Sequence, residues 1–340
     1  MTSFKSYFKS HLKANIRPLI YILATVLVLT FLIGVENQPT SRYDFELQQY
    51  YQDYKSTLNT PVIFLCILTY VVPVMEFSFF KKRINLDCAY SMPISRVAMG
   101  TVHYLTGLIT LFGAFTASYL VNFALLLSRG PGYFNFKPMA EHYLLALLLG
   151  FAIYSLMVFI FNEANTKGDG IWFMILYTFV LILVMGAINR IIGDYNIFSS
   201  GTSSIPVALI ISMTSNYKYL VEIDSAQRAT FWSSPEYVSW FIFWVVAGIA
   251  SAVGFFLTFG KRRMERTEEI SDSFFGFRTL IPIYAFTGMI TFRVSEMIIF
   301  WVIIELLALL GYTIYRRGFH YKKSDFIILA SLIIFLFIEI

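Results

Sequence analysis

Residues 60–83 read TPVIFLCILTYVVPVMEFSFFKKR. About twenty apolar residues run into the cations Lys81, Lys82 and Arg83. A helix of that length matches the ~30 Å hydrocarbon core of a bilayer, and the cations mark where it ends. Composition agrees with a membrane protein. The 340-residue chain is 57% hydrophobic and 14% charged, with 18% aromatic residues and a mean hydropathy of +0.66. Soluble domains carry about 25% charged residues. This chain has too little polar surface to face water on all sides.

The same reading finds spans at 17–35, 102–128, 142–162, 171–190, 239–260 and 296–315, with shorter ones at 277–292 and 324–340. The first is read as a retained span and not a signal peptide, because no small-residue cleavage site follows it. Lys and Arg set the orientation. With the N-terminus inside, the inner segments hold Lys5, Lys9, Lys13 and Arg17, then Lys81 to Arg83 with Arg96, then Lys167. They go on to hold Lys261 to Arg263, Arg266 and Arg278, and finally Arg316, Arg317, Lys322 and Lys323. The apolar piece from Ile205 to Met213 is too short to cross and is read as re-entrant or interfacial, inside a long outer loop 191–238. A second outer loop, 36–59, carries Tyr43, Phe45, Tyr50, Tyr51 and Tyr54, which suit an interfacial aromatic belt or a substrate-facing surface.

Residues 1–16 read as an amphipathic helix. Phe4, Tyr7, Phe8, His11 and Leu12 share an arc of about 140°, with Lys5, Lys9 and Lys13 on the adjoining face. Such a helix lies on a membrane surface, as an anchor or as an elbow that carries motion into the bundle. Within 239–260, Ala247/Ser251, Gly248/Ala252 and Ala250/Gly254 place small residues at four-residue spacing, which lets helices pack closely inside a bundle or between subunits.

Catalytic and metal signatures are sparse. Cys66 and Cys88 form no disulfide framework, and the four His show no HxxxH spacing. There is no phosphate loop: Gly260-Lys261 is followed by Arg262 and lacks the upstream glycine. Neither HExxH nor GxSxG occurs. Ionisable residues inside spans are the remaining candidates, since a charge there costs roughly 2.5–3.5 kcal/mol to insert. Glu305 lies mid-span, as a structural carboxyl facing other helices or as a proton or substrate site. Glu76 sits near the inner end of its span and is expected to reach toward Lys81 and Lys82. Arg293 and Glu296 flank an outer turn and can reach water.

The loop Asp87-Cys88-Ala89-Tyr90-Ser91-Met92-Pro93-Ile94-Ser95-Arg96 resembles the first cytoplasmic loop of ABC-2 type transporter permeases. That pattern is an acidic residue, then Ser-Leu-Pro-(Ile/Val)-Ser-Arg, then an apolar helix. Met92 stands in place of the usual Leu, and His103 where a Lys is common. Arg266-Thr267-Glu268-Glu269 is similar to a second family signature, although Ser271-Asp272 replaces the usual Ala-Gly. The resemblance covers about residues 1–275.

It implies an all-α polytopic membrane bundle. The amphipathic helix 1–16 would precede a six-span permease core, 17–260, with a coupling loop at 80–99. Residues 261–340 would form a cytoplasmic linker and about three further spans. The function implied is the permease subunit of a bacterial ABC exporter in the cell membrane, N-terminus cytoplasmic, moving an amphipathic or lipid-like molecule or a peptide. The chain itself would be no enzyme and hold no cofactor or metal. ATP would be bound by a partner ATP-binding subunit docked on Asp87, Ser91, Pro93, Ile94 and Arg96. Pro93 suits a helix first turn, and Arg96 either an acidic surface on that partner or a lipid phosphate. The other partners would be a second permease subunit and the bilayer, with no nucleic acid. Two other functions stay open: an ion-gradient transporter working through Glu305, and a membrane enzyme acting on a lipid-linked substrate.

Overall fold

A computed structural model describes residues 4–36, 40–44, 49–53, 55–91, 93–128, 136–192, 206–216, 235–261, 267–269, 271, 273–292 and 298–337. The helices are α1 (Phe4–Ala14), α2 (Ile16–Glu36), α3 (Lys55–Phe77), α4 (Arg83–Tyr90), α5 (Arg96–Ser128), α6 (Phe136–Glu163), α7 (Lys167–Ile192), α8 (Pro206–Asn216), α9 (Pro235–Phe259), α10 (Phe277–Phe292), α11 (Ile298–Arg316) and α12 (Lys323–Phe337). One antiparallel hairpin interrupts them, β1 (Thr40–Asp44) with β2 (Gln49–Asp53), in a register that sets Tyr43 opposite Tyr50. Apart from this hairpin the described elements are helical, in line with the all-α reading. The hairpin strands carry Tyr43, Tyr50 and Tyr51, and aromatic residues favour the extended, pleated backbone. Phe45 and Tyr54 of the same loop lie outside the described residues.

Among the described residues, five helices are long and apolar enough to cross a membrane: Ile16–Glu36, Leu58–Lys81, Arg96–Ser128, Met139–Glu163 and Tyr237–Phe259. Phe277–Ile290 is a shorter apolar helix. The chain is therefore a membrane protein by length and composition. The bare apolar surface is consistent with that, for Tyr21, Leu32, Val246 and Leu257 are each more than half exposed. Helix α8 has 11 residues and a length of about 16 Å, too short to cross.

The chain divides into two compact units. The first comprises Met1–Phe77, Cys88–Phe159 and Pro206–Arg262. Its core is aromatic: Tyr104 stacks on Phe255, and the buried Tyr154 donates its hydroxyl hydrogen to the carbonyl of Tyr104 at 3.1 Å. Two glycines permit this packing. A Cβ on Gly107 would stand 2.1 Å from the Tyr154 hydroxyl, and one on Gly248 would stand 2.4 Å from Cα of Ala152. The small face read from 239–260 thus packs α9 on α6 inside one bundle. Along α2, Val26, Thr30 and Gly34 are buried at four-residue spacing, and Thr30 and Ser118 share a 2.7 Å hydroxyl bond. The apolar arc of α1 is its half-covered face: Tyr7, Phe8, His11 and Leu12 are partly buried while Lys5, Lys9 and Lys13 are exposed.

The second unit comprises Ser78–Asp87, Ile160–Ile205 and Arg263–Ile340. Phe173 meets Phe277 edge-on at 4.8 Å, joining α7 to α10. The turn between α11 and α12 is fixed by Arg316, whose Nε and Nη2 donate to the two carboxylate oxygens of Asp325 at 3.1 and 3.0 Å.

Candidate functional site

The stretch that resembles a coupling loop begins with a 3-10 turn, Ser78–Lys81. Lys81 is 2% exposed, and its ammonium donates to the carbonyls of Phe161 (2.8 Å), Asn162 (3.2 Å) and Ala164 (2.5 Å). A helix ends with carbonyls that have no partner in the next turn. Lys81 supplies three donors to the end of α6, where the helix dipole also favours a cation. Arg83 follows at the start of α4. Its Nε donates to the carbonyl of Thr267 at 3.0 Å, its backbone N–H to Glu268 Oε1 at 3.4 Å, and its guanidinium lies 3.7 Å from Glu269. Two segments singled out separately by the family resemblance are thereby joined, although Arg266 lies outside the described residues. Ser271, where that pattern departs from the usual Ala, donates to Asp169 at 2.6 Å and accepts from Asn165 N–H at 2.8 Å.

Asp87, Ser91, Pro93 and Ser95 are exposed, while Ile94 and Arg96 are half-covered. Ile84 on α4 is 74% exposed, whereas Leu86 is buried. Met92 lies outside the described residues. Pro93 does not occupy a helix first turn, as its position had led us to expect. Helix α5 starts at Arg96, and Ser95 is its cap, accepting the Ala98 N–H on its hydroxyl at 3.2 Å. A serine hydroxyl satisfies an orphan amide that Pro93 cannot address.

The Glu76 contacts seen among the described residues lie within the first unit. The Glu76 carboxylate turns to two histidines there. Its Oε2 lies 3.1 Å from Nε2 of His11 on α1 and 3.3 Å from Nδ1 of His103 on α5. His103 Nδ1 also stands 3.0 Å from the backbone carbonyl of Glu76, so that nitrogen carries a proton in this arrangement. His103 Nε2 lies 3.4 Å from the Tyr7 hydroxyl, and Asn15 Nδ2 lies 2.9 Å from His11 Nε2. The two imidazoles are 4.0 Å apart, centre to centre. Burial together with the Glu76 charge pushes the Tyr7 phenol above its ordinary range, burial being the larger cause. A cleft of about 120 Å³ adjoins the group, with Asn15, Met75, Glu76 and Thr110 in its wall. The sequence marks all three ligand-type residues singly but never as one site.

Glu305 is half-buried in α11, and its Oε2 has no hydrogen-bond partner among the described residues. The same holds for the hydroxyl of Tyr312, two turns along. Cys66 is buried in α3. Arg293 and Glu296 lie outside the described residues. No protein-family model matches the chain, and neither a curated protein nor a solved structure matches it.

Proposed function

We propose that the chain is the transmembrane permease subunit of an ATP-driven exporter of the ABC-2 type. It would work in the bacterial cell membrane with its N-terminus in the cytoplasm, paired with a second copy or a related permease. The observation that carries this reading is the 78–87 stretch of the second unit, with a fixed root and an exposed crest. Lys81 and Arg83 tie the root to the end of α6 and to residues 267–269. The crest offers Ile84 and Asp87. A rigid exposed helix rooted in this way transmits a push from a docked partner as a rigid-body shift of packed helices. The missing phosphate loop fits the same reading, since energy must then come from another chain. The five helices long and apolar enough to cross a membrane among the described residues, with the further apolar helices α7, α10, α11 and α12, are compatible with a six-span core followed by additional C-terminal spans.

The test is a pull-down of the tagged chain from its native membranes, read for a co-purifying ATP-binding subunit, comparing Ile84→Glu and Arg96→Glu with the parent. Both substitutions are expected to lose the ATPase and the transport. Unchanged co-purification and unchanged transport in both would refute the docking role.

A second reading is favoured by the bare Oε2 of Glu305: ion-gradient transport through that carboxyl. It requires transport without any ATPase, abolished in Glu305→Gln.

A further inference from the structure

We propose that His11, Glu76 and His103 form a binding site for a borderline divalent transition-metal ion, Zn²⁺ in the cell, which fastens the surface helix α1 to α3 and α5. Their ligand atoms, Nε2, Oε2 and Nδ1, all lie within 4.8 Å of one another. Bonds of about 2.0–2.1 Å in a tetrahedron put neighbouring ligand atoms about 3.3–3.4 Å apart. The two edges at Glu76 measure 3.1 and 3.3 Å. Two imidazoles and one carboxylate suit zinc and its neighbours and are a poor set for Ca²⁺ or Mg²⁺.

The proton arrangement without a metal is awkward at His11. One ring nitrogen faces both an amide NH₂ (Asn15, 2.9 Å) and a carboxylate (Glu76, 3.1 Å). It cannot accept from one and donate to the other at once. Turning the Asn15 amide relieves the conflict, and a cation between His11 and Glu76 does so too, since both then offer lone pairs and the Asn15 carbonyl oxygen can face the ion. At His103 the Nδ1 proton must leave for coordination. The ring then carries its proton on Nε2 and donates to the Tyr7 hydroxyl at 3.4 Å, the kind of outer partner that orients metal-bound imidazoles. The adjoining cleft of about 120 Å³ has room for a water as a further ligand. Helix α1 has no fully buried residue, so an ion joining it to two long helices would add much to its hold. This inference stands whether or not an ATPase partner exists.

The experiment uses the full chain in lipid nanodiscs, with an affinity tag free of histidine. The chain is stripped with chelator and titrated with Co²⁺, read by its visible d–d bands, and Zn²⁺ is then used to displace it. We expect one Co²⁺ per chain in a four-coordinate spectrum. His11→Ala, His103→Ala and Glu76→Gln should each weaken binding by more than tenfold, and Tyr7→Phe by about tenfold. His320→Ala, at an exposed position, serves as the control and should bind like the parent. His11→Ala keeps the test sound, since α1 buries no residue completely and the bundle should stay folded without that ring. Hydrogen exchange of residues 4–14 should slow when Zn²⁺ is added to the parent and not to His11→Ala. Less than a tenth of an equivalent of Co²⁺ in the parent would overturn the proposal. So would affinity within tenfold of the parent in His11→Ala.

Discussion

Lys81→Met tests whether the 78–87 stretch is rooted as described. Methionine keeps the length and apolar stem of lysine and removes only the ammonium. Three bonds vanish, at 2.8, 3.2 and 2.5 Å, all in a site where the side chain is almost wholly covered. Hydrogen bonds to a charged group contribute about 1.5–3 kcal/mol each. Burying an ammonium itself costs several kcal/mol, and methionine escapes that cost. Counting the lower figure of about 1 kcal/mol for each carbonyl deprived of its donor, the loss comes to about 3 kcal/mol. The Phe161 ring 5.0 Å from the ammonium adds a further cation–π loss of about 0.5–2 kcal/mol. The assay is equilibrium unfolding in mixed micelles with rising SDS fraction, followed by tryptophan fluorescence. Lys82→Met is the control, because Lys82 is exposed and should change stability by less than ~0.5 kcal/mol. Equal stabilities for Lys81→Met and Lys82→Met would sink the capping argument. With it would go the claim that the crest of the stretch has a rigid root.

Three further substitutions probe other contacts. Gly248→Ala sets a methyl 2.4 Å from the backbone Cα of Ala152, which cannot swing aside, so α6 and α9 must part. A loss of about 1–3 kcal/mol is expected in the same unfolding assay, and parental stability would show that the close approach is wrong. Gly107→Ala meets the Tyr154 hydroxyl at 2.1 Å, and Tyr154→Phe added to it should recover part of the loss because the clashing atom is gone. If the double variant is no more stable than Gly107→Ala, the hydroxyl is not the obstacle. Arg316→Ala leaves the carboxylate of Asp325, only 4% exposed, without its bidentate partner. A cost of about 3–5 kcal/mol is expected, seen as faster hydrogen exchange across α12, and unchanged exchange there would refute it.

The helices were legible because the physics that makes them is local. An apolar run of about twenty residues between cations has few alternatives to a helix, and residues 17–35 and 60–79 emerge as α2 and α3 within a few residues. The hairpin at 40–53 was not legible in that way. Its pairing joins residues as far apart as Thr40 and Asp53, and no Asn-Gly or Asp-Gly turn announces it. The partners of Lys81 were hidden for a related reason. By composition it is one more loop cation, and only the fold brings the end of α6 to it, eighty residues onward.

The His–Glu–His group shows most plainly where a linear reading stops. Each member is conspicuous on its own terms. His11 sits on the apolar arc of an amphipathic helix, Glu76 is a carboxyl inside a span, and His103 replaces a familiar lysine. None has a ligand-type neighbour at helical spacing, so no motif connects them. What joins them is the docking of α1: its 100° periodicity turns His11 to the same side as Tyr7, and contact with α5 carries both to His103. A residue that breaks the apolar pattern of an amphipathic face must find a polar partner on whatever that face covers. His11 therefore predicts a buried polar group opposite α1. In this chain Glu76 was the intramembrane carboxylate in need of a partner, and the two requirements meet in a single contact of 3.1 Å.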